Sequence, residues 1–177
     1  MVTRLSNHQV LMCLVFVFIA PVLLGKLFLN MHWYSAGATN LGDLLPVKLS
    51  YQALKIDNPV PHHWQVLFQV PRQCTWLCKQ QISILQRTVI ALGKDQNRVK
   101  PVLITNNLKQ IKHLNAKVLK PNSALATALA DDLFVIVDPL GKWVLRYPTV
   151  TNERASLLQA RHLLTDMKTL LKLSKVG

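Results

Sequence analysis

Acidic side chains are scarce in this chain: 8 Asp and Glu stand against 21 Lys and Arg, a formal net charge of +13. The sequence offers no carboxylate pair for general acid and base work, no Gly-rich phosphate loop, no Ser/His/Asp constellation and no zinc-type Cys/His spacing. Those absences set aside the common hydrolytic, nucleotide-dependent and zinc chemistries. Finger motifs and RNP-like aromatic strand motifs are missing too, so the basic balance does not translate into nucleic-acid reading. No internal repeat or low-complexity tract occurs. Cysteine is rare, with Cys13, Cys74 and Cys78 the only three.

What is present begins with one long apolar run. A length of 177 residues suits one ordinary domain and an appendage. Val10 to Leu29 contains a single charged side chain, Lys26, and reaches the roughly 20 apolar residues needed to cross a hydrocarbon core of about 30 Å. Lys26 is near enough to the end to snorkel, and His32, Trp33 and Tyr34 place amphipathic rings where an interface is expected. A cleaved secretory signal would share the basic start and apolar run, but no convincing small-x-small cleavage site follows Leu24. The run therefore predicts an uncleaved transmembrane anchor over 10–30, after a short cytoplasmic N-terminus over 1–9. Arg4 favours that start, and a long basic domain can translocate largely regardless of its charge. The expected location is a bacterial inner membrane, crossed once, with the domain on the periplasmic side.

Beyond residue 30 the chain carries 19 basic and 8 acidic side chains, a net of +11. Anionic lipid or an acidic protein face would be drawn to such a surface, unless Lys109, Lys112, Lys117 and Lys120 are simply a solvated face. Residues 31–58 hold Gly37, Gly42, Pro46 and the apolar Leu44–Leu45, which suggests a docking tether. The domain is expected over 59–177.

Within it, Trp64 to Val70 (WQVLFQV) has the pattern of a buried strand. From Cys78 to Leu92 the residues Ile82, Leu85, Val89 and Leu92 recur at helical spacing, and Gly93 sits where a helix end often needs a left-handed residue. Val99 to Thr105 is a strand, in which Pro101 suggests an edge or a strand start. Asn107 to Val118 is predicted helical, with Leu108, Ile111 and Val118 inward. Leu133 to Val137 and Lys142 to Tyr147 form a hairpin around Asp138-Pro139-Leu140-Gly141. Glu153 to Leu173 is the last helix, capped by Thr151 or Asn152, with Leu157, Ala160, Leu164, Met167 and Leu171 in one stripe. The order β-α-β-α-β-β-α, with a Cys pair between the first strand and its helix, is that of an α/β thioredoxin-like fold: a mixed sheet with helices on both faces, here preceded by the transmembrane helix.

The candidate reactive centre is Cys74-Thr75-Trp76-Leu77-Cys78. At a strand-to-helix junction, unpaired backbone N–H groups and the helix dipole favour a thiolate, and Arg72 and Lys79 act the same way. If the backbone is already helical at Cys74, the two residues stack on one face at a separation that a disulfide can close. The same two thiolates could hold Cu(I), a soft ion content with few soft ligands. A structural disulfide or two inert buried thiols are the blander readings. Cys13, inside the apolar run, reads as a small filler.

The strand-Cys-x3-Cys-helix segment, the later VIVDPLGKWVLRYP and the N-terminal anchor together resemble the Sco-type family of cytochrome c oxidase copper-assembly proteins, over roughly residues 40 to 175. The resemblance implies that Cys74 and Cys78 bind copper or exchange disulfides during oxidase biogenesis, with oxidase subunits or other assembly factors as partners. In that family a histidine a few residues before the strand that ends in Asp-Pro completes the copper site. Counted back from Asp138-Pro139, its place falls at about Ala130, and Lys79 stands where a proline usually follows the Cys pair. His113 and His62-His63 are the remaining substitutes for a third ligand. These departures motivate an alternative, a non-catalytic thioredoxin-like docking module on a respiratory membrane complex. A general periplasmic thiol-disulfide enzyme is a third reading.

Overall fold

The computed structural model describes residues 7–30, 40–46, 48–107, 116–129, 132–174 and 176. The chain divides into two compact units, Met1–Thr39 and Asn40–Gly177.

The first unit holds one helix, α1 (Asn7–Asn30). Its 24 residues rise about 36 Å. Its segment His8–Leu27 is long and apolar enough to cross a membrane. Pro21 lies inside the helix and withdraws one backbone donor, a defect that helices in lipid tolerate. Cys13 is a free, exposed thiol on this helix.

The second unit is a six-stranded mixed sheet. Its elements are β1 (Asp43–Leu44), β2 (Trp64–Gln69), α2 (Trp76–Ile90), β3 (Val99–Ile104), β4 (Lys117–Leu119), α3 (Ser123–Ala128), β5 (Asp132–Val137), β6 (Trp143–Pro148) and α4 (Glu153–Leu173). The strand order is β1-β6-β5-β2-β3-β4. β2 pairs parallel with β3, from Trp64↔Val99 to Gln69↔Ile104, and antiparallel with β5. It is therefore central, which is why WQVLFQ is buried at five of its six positions instead of alternating.

Alternate residues of the central strands feed two cores. Val66, Phe68, Leu103, Phe134, Ile136 and Leu145 face one side, where Cys78, Ile82 and Leu85 of α2 and Leu163, Met167 and Leu171 of α4 cover them. Leu67, Val102, Ile104, Val135 and Val137 face the other, covered by Tyr51, Leu125 and Leu129. Helices thus lie on both faces. Each fully buried Leu, Ile or Phe contributes about 1.5–3 kcal/mol, and Phe68 and Phe134 meet with ring centroids 5.5 Å apart.

Several sequence expectations are corrected here. Lys117–Leu119 is not the end of a helix but the edge strand β4, parallel to β3. Of the helix expected over 107–118, residues 108–115, with Leu108 and Ile111, lie outside the described residues. The two-residue β1 and the single-turn-and-a-half α3 are too short to print a period on the sequence. Pro101 sits in a strand that is internal over Val102–Ile104 yet has no β4 partner at Pro101 itself, so the missing N–H falls where one flank is open. On α4 the buried stripe runs Ser156, Gln159, Leu163, Asp166, Met167 and Leu171, while Leu157 is exposed. The α2 helix ends at Ala91 in a right-handed conformation; Gly93, at φ +62°, opens a short 3-10 helix, Gly93–Arg98.

Caps and turns follow their residues. Asn152 accepts a 2.8 Å hydrogen bond from the Ala155 N–H at the start of α4, so Asn152→Ala is expected to cost about 1 kcal/mol in denaturant unfolding. In the β5–β6 hairpin Asp138 Oδ1 accepts from the N–H groups of Leu140 and Lys142, with Gly141 at φ +86°.

Of the docking tether expected over 31–58, the described residues 40–46 and 48–58 pack onto the sheet in two places. Tyr51 donates to Gln65 Oε1 at 2.9 Å, and Gln65 Nε2 donates to Asn58 Oδ1 and the Val60 carbonyl, so the wholly buried Gln65 is fully satisfied. Farther back, the buried Asp166 carboxylate of α4 accepts from the backbone N–H groups of Leu41 and Gly42 and from Tyr147 Oη. A Cβ at Gly42 would stand 2.7 Å from the Tyr147 ring, which fixes glycine there.

Candidate functional site

β2 stops at Gln69, and one more ladder bond, Val70 N–H to the Ile104 carbonyl at 3.0 Å, carries the chain to Pro71, which cannot donate. Arg72 and Gln73 turn the backbone; Cys74 follows, then Thr75 as the N-cap of α2. Thr75 is extended, and its side chain makes no cap bond. The first helical bond runs from Lys79 N–H to the Thr75 carbonyl at 3.1 Å. Cys74 is thus just outside the helix and Cys78 in its first turn, so the i,i+4 stacking expected of a fully helical segment is replaced by closure across the helix start.

Cys74 and Cys78 are joined as a disulfide, with Cα atoms 5.2 Å apart. The two sulfurs' surroundings differ. Cys78 is 2% exposed and sits in the stripe Cys78, Ile82, Leu85 that faces the sheet. Cys74 is half-buried, with one side packed on the same core and the other open. An attacking thiolate can approach Cys74 and not Cys78, and exchange depends on that access.

The first turn of α2 contains no acidic residue, and the exposed Arg72 and Lys79 flank the pair. Unpaired N–H groups at the helix start and two nearby cations favour a sulfur anion released on reduction. Gln80 Nε2 donates to Glu153 Oε1 at 2.9 Å, tying the start of α2 to the start of α4.

A third metal ligand is not brought to the pair. His62 and His63 precede β2, whereas the cysteines follow it, about 20 Å along the strand. Both instead make local contacts: His62 N–H donates to the Pro139 carbonyl, and His63 Nδ1 lies 3.1 Å from the Pro61 carbonyl. Those histidines cannot complete a site with the cysteines. His113, and Ala130 at the place of the family histidine, lie outside the described residues. Among the described residues no group of three His, Cys, Asp or Glu side chains could hold a metal. As a donor set, the reduced pair offers two soft sulfurs, which suit Cu(I); the oxidised pair offers no thiolate.

Two polar networks escaped the sequence reading: the Asp166 clasp and the Gln65 triad. Burial holds the Tyr147 hydroxyl far above the usual phenol range, and its hydrogen bond and charge contact with Asp166 push the same way. Burial alone raises Tyr51. A phenol kept neutral in the folded state stabilises the fold below the unfolded pKa and loses that contribution as pH rises. Stability should therefore fall above about pH 10, by up to about 1.4 kcal/mol per pH unit for each tyrosine. Tyr147→Phe should make the alkaline limb shallower in unfolding titrations.

A family model described as "Transmembrane-like, thioredoxin-like, C-terminal domain" matches residues 64–174, the span from β2 through α4. The chain belongs to this transmembrane-like, thioredoxin-like family. No curated protein sequence matches it. Among solved structures, this thioredoxin-like chain is similar to Arabidopsis thaliana ScoI with copper bound, at 12% identity and a TM-score of 0.48, over 73% of this chain and 99% of that one. It is similar to yeast Sco1 with copper bound at 13% identity and a TM-score of 0.41, over 72% and 94%. Xanthomonas campestris peroxiredoxin Q is also similar, at 15% identity and a TM-score of 0.43, over 62% and 81%.

Proposed function

We propose that this protein is a membrane-tethered thiol-disulfide exchange factor acting in cytochrome c oxidase biogenesis, with its domain on the periplasmic side of a bacterial inner membrane. The observation that carries the reading is the asymmetric disulfide: Cys74 open to a partner, Cys78 buried behind it at the start of α2. The exposed sulfur takes the substrate sulfur, and the buried one resolves the adduct. The oxidase as client rests on the Sco-like arrangement of anchor, Cys-x3-Cys and VIVDPLGKWVLRYP. Its partners are oxidase subunits or other assembly factors. Cu(I) handling is the companion activity, confined to the reduced state and to two sulfur donors.

The test is oxidase activity in membranes of cells lacking the protein, complemented with wild type or with Cys74→Ser/Cys78→Ser. Restoration by wild type alone is expected. Restoration by the double variant would replace this reading with the docking module, and normal oxidase in the deletion strain would remove the oxidase as client.

A further inference from the structure

We infer that the substrate of the Cys74–Cys78 pair is an extended polypeptide with acidic residues beside its cysteines, held in a groove that runs from Arg72 across the carboxyl ends of β2 and β3. The inference rests on the exchange reading above and names its substrate class.

The groove has a volume of about 460 Å³ and is lined by Gln69, Arg72, Thr105, Asn106, Asn122 and Ser123 among others. It opens at Pro71 and Arg72, two residues from Cys74, and follows the ends of the two parallel strands, where mixed sheets commonly receive ligands. Its walls mix amides and hydroxyls, which both donate and accept as a peptide backbone requires, with the apolar Val70, Pro71, Ile104, Pro121 and Ala126. No carboxylate is among its described lining residues. Arg72 is exposed and takes part in neither ion pair present among the described residues, Arg98–Asp95 and Arg146–Asp43. A guanidinium so placed suits a carboxylate, which it can grip with two parallel bonds.

On the other side of Cys74, Trp76 is 67% exposed. A large rigid ring left in water between two reactive cysteines offers apolar contact to a macromolecule and nothing needed by a small thiol. An extended chain advances about 3.3 Å per residue, so a cysteine at Cys74 would put a side chain about two to four residues away against Arg72.

Because the structure holds the Cys74–Cys78 disulfide, a dithiol reductant must first supply two electrons and two protons to the pair; the exchange itself needs no further reagent. The reduced Cys74 thiolate attacks one sulfur of a peptide disulfide, the peptide S–S bond breaks, and one peptide thiolate leaves. Cys78 then attacks Cys74 in the mixed disulfide and releases the second peptide thiol. Two electrons and two protons pass to the peptide, and Cys74–Cys78 is oxidised.

The test uses the full-length protein in detergent, reduced, freed of reductant, and mixed with three probes: a disulfide peptide flanked by Asp and Glu, the same peptide flanked by Lys and Arg, and neutral 2-hydroxyethyl disulfide. The acidic peptide should react about tenfold faster than the basic one at low salt, with the ratio shrinking toward one at high salt. Arg72→Glu should lower that ratio about fivefold or more. Lys142→Glu, in the hairpin at the opposite end of the sheet, should keep it. Equal peptide rates, an equal loss with Lys142→Glu, or a neutral small disulfide reacting as fast as the acidic peptide would overturn the substrate class while leaving exchange intact. Failure of all three probes would overturn exchange itself, and this inference with it.

Discussion

Cys78→Ser should accumulate a covalent adduct with a client through Cys74, whereas Cys74→Ser should form none. With Ser at 78 the exposed sulfur still attacks, but the resolving thiol is gone, and turnover of a disulfide substrate should drop by at least about a hundredfold. With Ser at 74 the remaining thiol is 2% exposed and out of a client's reach. Non-reducing gels of membranes from cells carrying each variant read this directly. Adducts of equal abundance from both would mean that the asymmetry in exposure does not govern attack.

The second large effect concerns Asp166. Its carboxylate takes four contacts from three donors: Leu41 N–H at 3.0 and 2.9 Å, Gly42 N–H at 2.8 Å and Tyr147 Oη at 2.7 Å. Asp166→Ala leaves the buried Tyr147 hydroxyl and the part-buried Leu41 and Gly42 N–H groups without that acceptor, at about 1–3 kcal/mol for each that water cannot reach, so a loss of about 2–4 kcal/mol is expected. Asp166→Asn should be milder, about 1–2 kcal/mol, because Gly42 and Tyr147 share Oδ2 and an amide can present its carbonyl there. Urea unfolding measures the total, and limited proteolysis around Leu41 reports whether that segment is released first. Similar costs for Ala and Asn would mean that the carboxylate's charge or its second oxygen, which both variants lose, and not one carbonyl acceptor, holds the donors.

Long periodic elements were legible in the sequence because burial writes a period on them. The continuous apolar run of β2, the three-and-four spacing of α2 and the Asp-Pro-Leu-Gly turn each have one physical reading, and these elements carry the mixed sheet. Short elements did not have that property. β4 is three residues, Lys117–Leu119, closing a lysine-rich stretch whose apolar residues also fit a helical spacing, and its place beside β3 is set by tertiary pairing. Asp166 was illegible because helical spacing marks apolar faces; a carboxylate on the buried face is justified only by donors arriving from Leu41, Gly42 and Tyr147, far away in sequence. At the site, Cys-x3-Cys at a strand-to-helix junction marked the two cysteines that the structure joins as a disulfide. Spacing alone could not say which sulfur faces outward, nor that Pro71 and Arg72 open onto a polar groove.

The measurement that bears most directly on the central claim is redox equilibration of the full-length protein. The protein is incubated across a series of thiol-disulfide buffers, its free cysteines are alkylated by mass tag, and Cu(I) is titrated into the reduced end of the series against a competing chelator. A reversible two-electron transition confined to Cys74 and Cys78 is expected, with any copper held only on the reduced side. A pair that stays oxidised under every buffer and resists alkylation would make the disulfide purely structural and contradict the account.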